Sequence, residues 1–249
     1  MLVAAIVAAG GQGTRLGTTV PKQFLELGGR TILSRSIEAL AACERIGLIV
    51  VALPEADAAN PPPYLVREDG RVLVVAGGAR RQDSVANAFA AIPEETDIVV
   101  IHDAARPFVD SATIERTIEA AASAGAAIAA LPARDTVKLA ELTETGWVGG
   151  EFGEPLLAVR PTRILTVKKT LQRETIYLAQ TPQAFRHDVL TRAISLGRQG
   201  VLGTDEAALA EHLGSRVLLV PGDPRNIKIT TTADLAFARG LLLERGELT

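Results

Sequence analysis

The amino-acid sequence predicts an α/β fold, a mostly parallel sheet flanked by helices, and three observations carry that expectation. Short apolar runs alternate with longer stretches whose apolar residues recur at helical spacing, the order that βα units leave in a chain. The short runs are nearly unbroken in their hydrophobicity, as strands covered on both faces must be. Glycine-rich or polar turns with charged residues follow several of these runs, and open α/β sheets bind ligands beyond the carboxyl ends of their strands. With 249 residues, 47% of them hydrophobic, the chain is long enough to bury one sizeable core, so a single domain over residues 1–249 is expected.

In chain order, the first strand is expected at Leu2–Ala8, followed by a glycine-rich turn. A helix follows at Ile32–Ala42, where Ile32, Leu33, Ile37 and Leu40 share one face and Thr31 stands at the N-cap position. Strands at Gly47–Leu53 and Val72–Ala76 are separated by a surface loop containing Asn60-Pro61-Pro62-Pro63. A helix at Gln82–Ala91, a strand at Ile98–His102, a helix at Ala112–Ala124 and a strand at Ala126–Leu131 continue the alternation. The rhythm then breaks. From about Asp135 to Gln180 the chain holds Trp147 and strand-like pieces at Thr162–Val167 and Thr175–Ala179, which read as an extended β-arm at about 135–180. Polar turns at Gln180-Thr181-Pro182-Gln183 and Gly203-Thr204-Asp205-Glu206 precede helices at Asp188–Gly197 and Asp205–Leu213. Strands at Val217–Val220 and Ile227–Thr230 and a helix at Ala233–Leu243, signalled by Thr231 and Asp234, complete the chain.

Composition removes several classes of function. Net charge is −3 from 26 basic and 29 acidic residues, so no basic surplus points to nucleic acid or an anionic membrane surface. Aromatics make up 4% of the chain, too few for a platform that stacks bases. Cys43 is the one cysteine, which excludes an intramolecular disulfide and a thiolate cluster, and its apolar neighbours mark it as a small buried hydrophobe. His102, His187 and His212 are scattered and have no metal-ligand spacing. The apolar start, Met1 to Ala9, lacks the basic segment of a signal peptide, and no apolar run reaches the ~18 residues of a membrane span. A cytoplasmic enzyme is expected.

Three segments carry the chemistry. Ala8-Ala9-Gly10-Gly11-Gln12-Gly13-Thr14-Arg15-Leu16-Gly17 follows the first strand; its glycines let backbone approach a phosphate closely. It lacks the Gly-Lys-Ser/Thr ending of a Walker loop and the spacing of the dinucleotide fingerprint. Arg15 within it and Lys22 in Pro21-Lys22-Gln23 would suit a polyanion. Gly77-Gly78-Ala79-Arg80-Arg81-Gln82-Asp83-Ser84 repeats the order of strand, glycine turn and helix start. His102-Asp103-Ala104-Ala105-Arg106-Pro107 ends an apolar strand with an acid for a metal ion or hydroxyls and an arginine for phosphate. There His102 is expected to pack or hydrogen-bond, and the alternative for the whole segment is an ion pair closing a loop. Lys228 sits in an apolar stretch and matters only if it faces the same cleft.

These segments, with Arg134-Asp135-Thr136-Val137-Lys138, Gln180-Thr181-Pro182-Gln183, Thr204-Asp205-Glu206 and Asn226-Ile227-Lys228, resemble the 2-C-methyl-D-erythritol 4-phosphate cytidylyltransferase family over nearly the whole chain. The resemblance implies a Rossmann-like nucleotidyltransferase fold, CTP as co-substrate, Mg²⁺, and a homodimer formed through the β-arm, with no nucleic-acid or membrane partner. It implies that methylerythritol phosphate attacks the α-phosphorus of CTP and expels pyrophosphate, with Arg15 and Lys22 stabilising the charge at the reacting phosphorus. Ala8, Ala9, Gly10, Gly11 and Gly13 would cradle the triphosphate, Gly78 and Ser84 would read the cytosine, and Arg81 and Ala104 would line the nucleotide site. Asp103 would serve Mg²⁺ or the acceptor hydroxyls. Arg106, Thr136, Thr204 and Lys228 would hold the acceptor, with Arg173 from the partner's arm on its phosphate.

The chain departs from the family pattern in the arm. Trp147-Val148-Gly149-Gly150 and Arg160-Pro161-Thr162-Arg163 are inserted or rearranged, and Arg163 competes with Arg173 for the phosphate. The end at Thr249, soon after the last helix, leads to the expectation of an enzyme not fused to the downstream cyclodiphosphate synthase carried by some members. Two rival readings are a cytidylyltransferase of the same fold acting on ribitol 5-phosphate and a non-catalytic nucleotide-binding protein.

Overall fold

A computed structural model of the chain describes residues 1–11, 20–66, 69–145 and 162–248. It divides into two compact units, Met1–Leu131 with Ala179–Thr249, and Pro132–Leu178.

The larger unit is built on a sheet of seven strands: β1 (Val3–Ala8), β4 (Ile46–Leu53), β5 (Val72–Ala76), β6 (Ile98–Asp103), β7 (Ala126–Pro132), β10 (Tyr177–Arg186) and β11 (Val217–Pro221). Across the sheet their order is β11-β7-β10-β6-β1-β4-β5. The β1–β4, β1–β6, β4–β5 and β7–β11 pairings are parallel, whereas β10 runs antiparallel to β6. The period of two is visible in β1: Ala5 and Val7 pack on one face with Leu33, Ile37, Ile114 and Ile118, while Ala4 and Ile6 pack on the other with Val85, Leu190 and Ile194. Helices α1 (Ile32–Ala41) and α4 (Ser111–Ala124) therefore cover one face, and α3 (Arg81–Phe89), α5 (His187–Arg198) and α6 (Glu206–His212) the other. Both faces of the central strands are dry, which explains their unbroken apolar sequence.

Helix starts follow the sequence signals. Thr31 accepts the Ser34 amide at 3.1 Å at the head of α1, and Thr231 and Asp234 form a reciprocal capping box at the head of α7 (Thr232–Glu244). A third apolar cluster, with Leu27, Ile32, Phe108, Ile229, Leu241 and Leu242, seats α7 against the short hairpin of β2 (Glu26–Leu27) and β3 (Arg30–Thr31). Buried Arg35 ties this region together through the carbonyls of Leu27 (2.6 Å) and Gly28 (3.0 Å) and the Glu247 carboxylate (2.5 Å). Cys43 is buried, as its apolar neighbours predict. No helix of the described residues is long and apolar enough to cross a membrane.

Two expectations are corrected. Ile227–Thr230 is not a sheet strand: its Ile227 amide turns back to the Arg225 carbonyl (2.8 Å), and among the described residues the Ile229 amide alone reaches a distant backbone partner, the Ala105 carbonyl at 2.8 Å. Gln180–Gln183 is not a turn but the middle of β10, next to β6, with a cis Thr181–Pro182 bond. Its buried glutamines are tied to later segments through their amide nitrogens: Gln180 Nε2 donates to the Asp223 carbonyl (3.0 Å) and Gln183 Nε2 to Asp205 (2.7 Å). The hairpin of β2 and β3 and the short helix α2 (Glu55–Ala59) had no reading in the sequence.

The smaller unit is an antiparallel hairpin of β8 (Lys138–Thr145) and β9 (Thr162–Thr170), with Leu142 opposite Leu165 and Ala140 opposite Val167. One short helical turn, Arg173–Thr175, follows β9, so the next strand begins at Tyr177, two residues later than expected. Trp147, Gly149, Gly150 and Arg160, and the side chain of Arg163, lie outside the described residues.

Candidate active site

Parallel strands bring their carboxyl ends to one edge of the sheet, and there β1, β5 and β6 each hand over to a polar turn. Two adjoining cavities lie along that edge. The first, about 160 Å³, is lined by Ala8, Ala9, Gly10 and Gly11 after β1, by Lys22 and Gln23, by Gly78 to Arg81 and Ser84, by Asp103 to Ala105, and by Lys228. The second, about 130 Å³, is lined by Arg106, Ala179, Gln180, Thr181, Gln183, Thr204 and Asp205. Arg81, Asp103 and Lys228 line both.

The glycine turns of the first cavity interlock. Ser84 Oγ accepts the Gly78 amide at 3.0 Å and donates to the Arg80 carbonyl at 3.2 Å, which fixes the second turn against α3. A Cβ on Gly10 would lie 2.8 Å from Ser84 Oγ, and one on Gly78 would collide with Asp83 Cβ, so both turns approach α3 more closely than a side chain allows. Lys22 opens a single helical turn, Lys22–Phe24, and Gln23, 2% exposed, donates its amide to the Ala9 carbonyl at 2.9 Å. That bond holds the lysine's turn to the first glycine segment.

Asp103 is the centre of charge. Its Oδ2 meets Lys228 Nζ at 2.8 Å and Arg106 Nε at 3.7 Å, and its Oδ1 meets Arg81 Nε at 3.4 Å. Burial pushes the Asp103 carboxyl up, but Arg81, Lys228 and Arg106 outweigh burial and hold it well below the usual carboxylate range. Lys228 does face the cleft, as its functional reading requires.

Hydrogen bonds also fix the protonation of His102. Its Nε2 lies 3.0 Å from the Arg106 carbonyl, which only accepts, so Nε2 carries the proton. Nδ1 then accepts the Thr181 hydroxyl at 3.0 Å, while Thr181 Oγ1 accepts the Asp103 amide at 3.1 Å. Arg106 Nη1 donates to the Asn226 carbonyl (2.7 Å), and Asn226 Nδ2 to the Thr181 carbonyl (2.7 Å), closing a ring of contacts around the end of β6 that carries Asp103. His102 is fully buried, and burial pushes its pKa down to about 4. It packs and hydrogen-bonds in the neutral form.

A histidine buried in its neutral form makes the fold sensitive to acid. Unfolded histidine titrates near 6.5, so between pH 6.5 and 4 the unfolded chain binds the proton that the folded chain refuses. The stabilisation is fully present above pH 6.5 and is lost as pH falls through 4, a difference of about 3 kcal/mol. Urea unfolding of the protein and of His102→Gln at pH 7 and pH 4 measures it, and the variant should lack that part of the decline.

Of the residues singled out in the sequence, the larger unit gathers Ala8, Ala9, Gly10, Gly11, Lys22, Gly78, Arg81, Ser84, Asp103, Ala104, Arg106, Thr204 and Lys228 around the two cavities. Gly13 and Arg15 lie outside the described residues. Thr136 and Arg173 belong to the smaller unit, where Arg173 Nη1 donates to the Arg134 carbonyl at 2.9 Å. Gln23, Arg80, Thr181, Gln183 and Asp205 also line the cavities, and sequence reasoning gives them no role. The signal for them is membership of segments already quoted: Gln23 in 21–23, Arg80 in 77–84, Thr181 and Gln183 in 180–183, and Asp205 in 203–206.

Among the described residues no group of three or more His, Cys, Asp or Glu side chains comes together as a metal site. Asp103 is the one carboxylate lining the first cavity among those residues. That donor set fits a Mg²⁺ carried in on a triphosphate, since Mg²⁺ takes one or two carboxylates and completes its shell with phosphate oxygens and water.

The family model described as 2-C-methyl-D-erythritol 4-phosphate cytidylyltransferase matches residues 3–150 and 158–244. The protein of that name from Solibacter usitatus is 40% identical over 254 residues, spanning 98% of this chain and 97% of its own. A bifunctional IspD/IspF enzyme from Anaeromyxobacter dehalogenans is 46% identical over 241 residues, and this chain spans 57% of that longer relative. The crystal structure of the cytidylyltransferase from Thermus thermophilus superposes with a TM-score of 0.74 at 34% identity, covering 97% of this chain and 98% of that one.

Proposed function

The chain belongs to the 2-C-methyl-D-erythritol 4-phosphate cytidylyltransferase family, and from that premise we propose that its two cavities hold the two reactants of the family's reaction. CTP would occupy the cavity framed by the glycine turns, and methylerythritol phosphate the polar one beside Arg106 and Thr204. The observation that carries this reading is the sharing of Arg81, Asp103 and Lys228 by both cavities. Two separate anions bound there would meet across a common set of charges.

Joining them brings like charges together, and unit charges ~4 Å apart repel by about 1 kcal/mol even in water and by more in a cleft. The chain's task is then neutralisation and alignment. Lys22 and Arg15 would stabilise the charge at the α-phosphorus as the acceptor phosphate oxygen forms its bond and pyrophosphate leaves. Lys228 and Arg106 would hold the acceptor, and the backbone of Ala8 to Gly11 with Gly13 the triphosphate. An ionised phosphate is already a nucleophile, so no general base is needed, in keeping with a His102 that is fully committed to its neighbours. Mg²⁺, held by Asp103, would supply neutralisation of the triphosphate when bound.

The enzyme would act in the cytoplasm as a homodimer through the arm. Leu139, Leu142, Leu165 and Val167 stand exposed on the hairpin of the smaller unit and offer apolar area to a second copy. Arg173, or Arg163 in its place, would bind the acceptor phosphate of the partner. Loss of acceptor saturation in Arg173→Ala, with CTP binding retained, is the expected result; the same loss in Arg163→Ala alone would move the role.

Pyrophosphate release with CTP and Mg²⁺ tests the whole reading. Turnover is expected with methylerythritol phosphate and not with ATP, GTP or UTP in place of CTP. Turnover only with ribitol 5-phosphate would change the acceptor, and CTP binding without turnover on either would favour a non-catalytic protein.

A further inference from the structure

Glu206 lines neither cavity, yet its carboxylate is held inside the protein, the residue being 1% exposed. Its Oε2 accepts Arg81 Nη1 at 2.6 Å, and among the described residues its Oε1 is buried without a hydrogen-bond partner. A buried, half-satisfied carboxylate is a costly group to keep for packing alone. Among the described residues it forms its ion pair with Arg81, and Arg81 is one of the three side chains common to both cavities.

The guanidinium is held like a fork. Nη1 is drawn to Glu206 at the first turn of α6, Nε points to Asp103 at the end of β6 (3.4 Å), and among the described residues Nη2 makes no hydrogen bond. Without Glu206 the nearest anion for Arg81 is Asp103, which Lys228 and Arg106 already share. Arg81 would then compete for that carboxylate and leave its place between the cavities.

We propose that Glu206 is a positioning residue that anchors Arg81 from its buried side, so that the guanidinium stands oriented for the anionic groups of both reactants. A cation fixed in advance needs no reorganisation when charge shifts between the two substrates. The inference rests on the reading that the two cavities hold nucleotide and acceptor. A plain structural pair closing α6 onto α3 is the competing account, and it predicts that Glu206→Gln lowers turnover only in step with the thermal midpoint.

The test is a double-mutant cycle in steady-state kinetics on the full chain, with CTP and methylerythritol phosphate, alongside thermal midpoints. The variants are Glu206→Gln, Arg81→Met (which keeps the volume of the stem) and the pair. Glu206→Gln is expected to lower kcat/KM for both substrates by about tenfold or more, with the folded state retained. In the Arg81→Met background the same change should cost nothing or recover activity, since it then relieves an unpaired buried charge. An equal fold-loss in both backgrounds, or no loss from Glu206→Gln, would overturn the inference. If Arg81→Met does not accumulate as folded protein, Arg81→Gln takes its corner of the cycle. Absence of turnover by the unaltered enzyme would remove the two-substrate reading itself, an outcome separate from either failure of the cycle.

Discussion

Replacing Lys22 by alanine is expected to lower kcat by about 10³-fold while leaving the fold in place, because the side chain is asked to stabilise charge that exists only as the phosphoryl group is transferred. The ammonium borders the glycine-framed cavity, on a helical turn held by the Gln23 bond to the Ala9 carbonyl and by the Phe24 amide on the Pro21 carbonyl at 2.9 Å. The backbone bond of that turn and the Gln23 bond are both kept when the Lys22 side chain is truncated. The split between kcat and KM decides the role. A fall in kcat with KM for CTP nearly unchanged assigns Lys22 to the transition state, whereas a rise in KM alone makes it a ground-state binder of the triphosphate. Near-normal turnover would remove it from the mechanism. Lys22→Arg keeps the charge on a different geometry and should retain more activity than alanine, and Arg15→Ala is expected to parallel Lys22→Ala.

Much of this architecture was legible because its causes are local. A strand covered on both faces must be apolar throughout, so β1, β4 and β6 announce themselves, and caps such as Thr31 bond within their own turn. Glycines at 10 and 78 are likewise required by contacts to a helix that the sequence places directly after the second turn. The misreadings share the opposite property. Gln180-Thr181-Pro182-Gln183 looks like a turn because a proline and two glutamines seldom fill the middle of a sheet, and it is a strand because Asp223, Asn226 and Asp205 meet those side chains from later in the chain. Ile227–Thr230 has the apolar content of a strand but no ladder beside it. Glu206 reads as an ordinary acid at a helix start, and the feature that distinguishes it, Arg81, lies 125 residues away. Pairings of that kind leave no periodic trace in a single sequence.

Asp103→Asn should be the most destabilising single change at the site, costing about 4 kcal/mol of stability and at least ~10²-fold in turnover. The carboxylate is the common anion of Arg81, Arg106 and Lys228, and asparagine is close enough in shape that the loss is electrostatic. Three cations would then face one another across the cavities with nothing between them. Repulsion of that origin is screened by salt, whereas loss of packing is not. The variant's unfolding free energy should therefore rise with added salt more steeply than the parent's. Acid provides the complementary check. Because the folded carboxyl is held well below its unfolded value near 3.9, its stabilisation is present above pH 4 and is lost as pH falls below it, so parent and variant should converge in strong acid. A variant as stable as the parent at low salt would show that the cations find other partners. A variant stable in salt but still inactive would separate the two roles, leaving Asp103 as the group that holds Lys228 and Arg81 in register for the incoming phosphates.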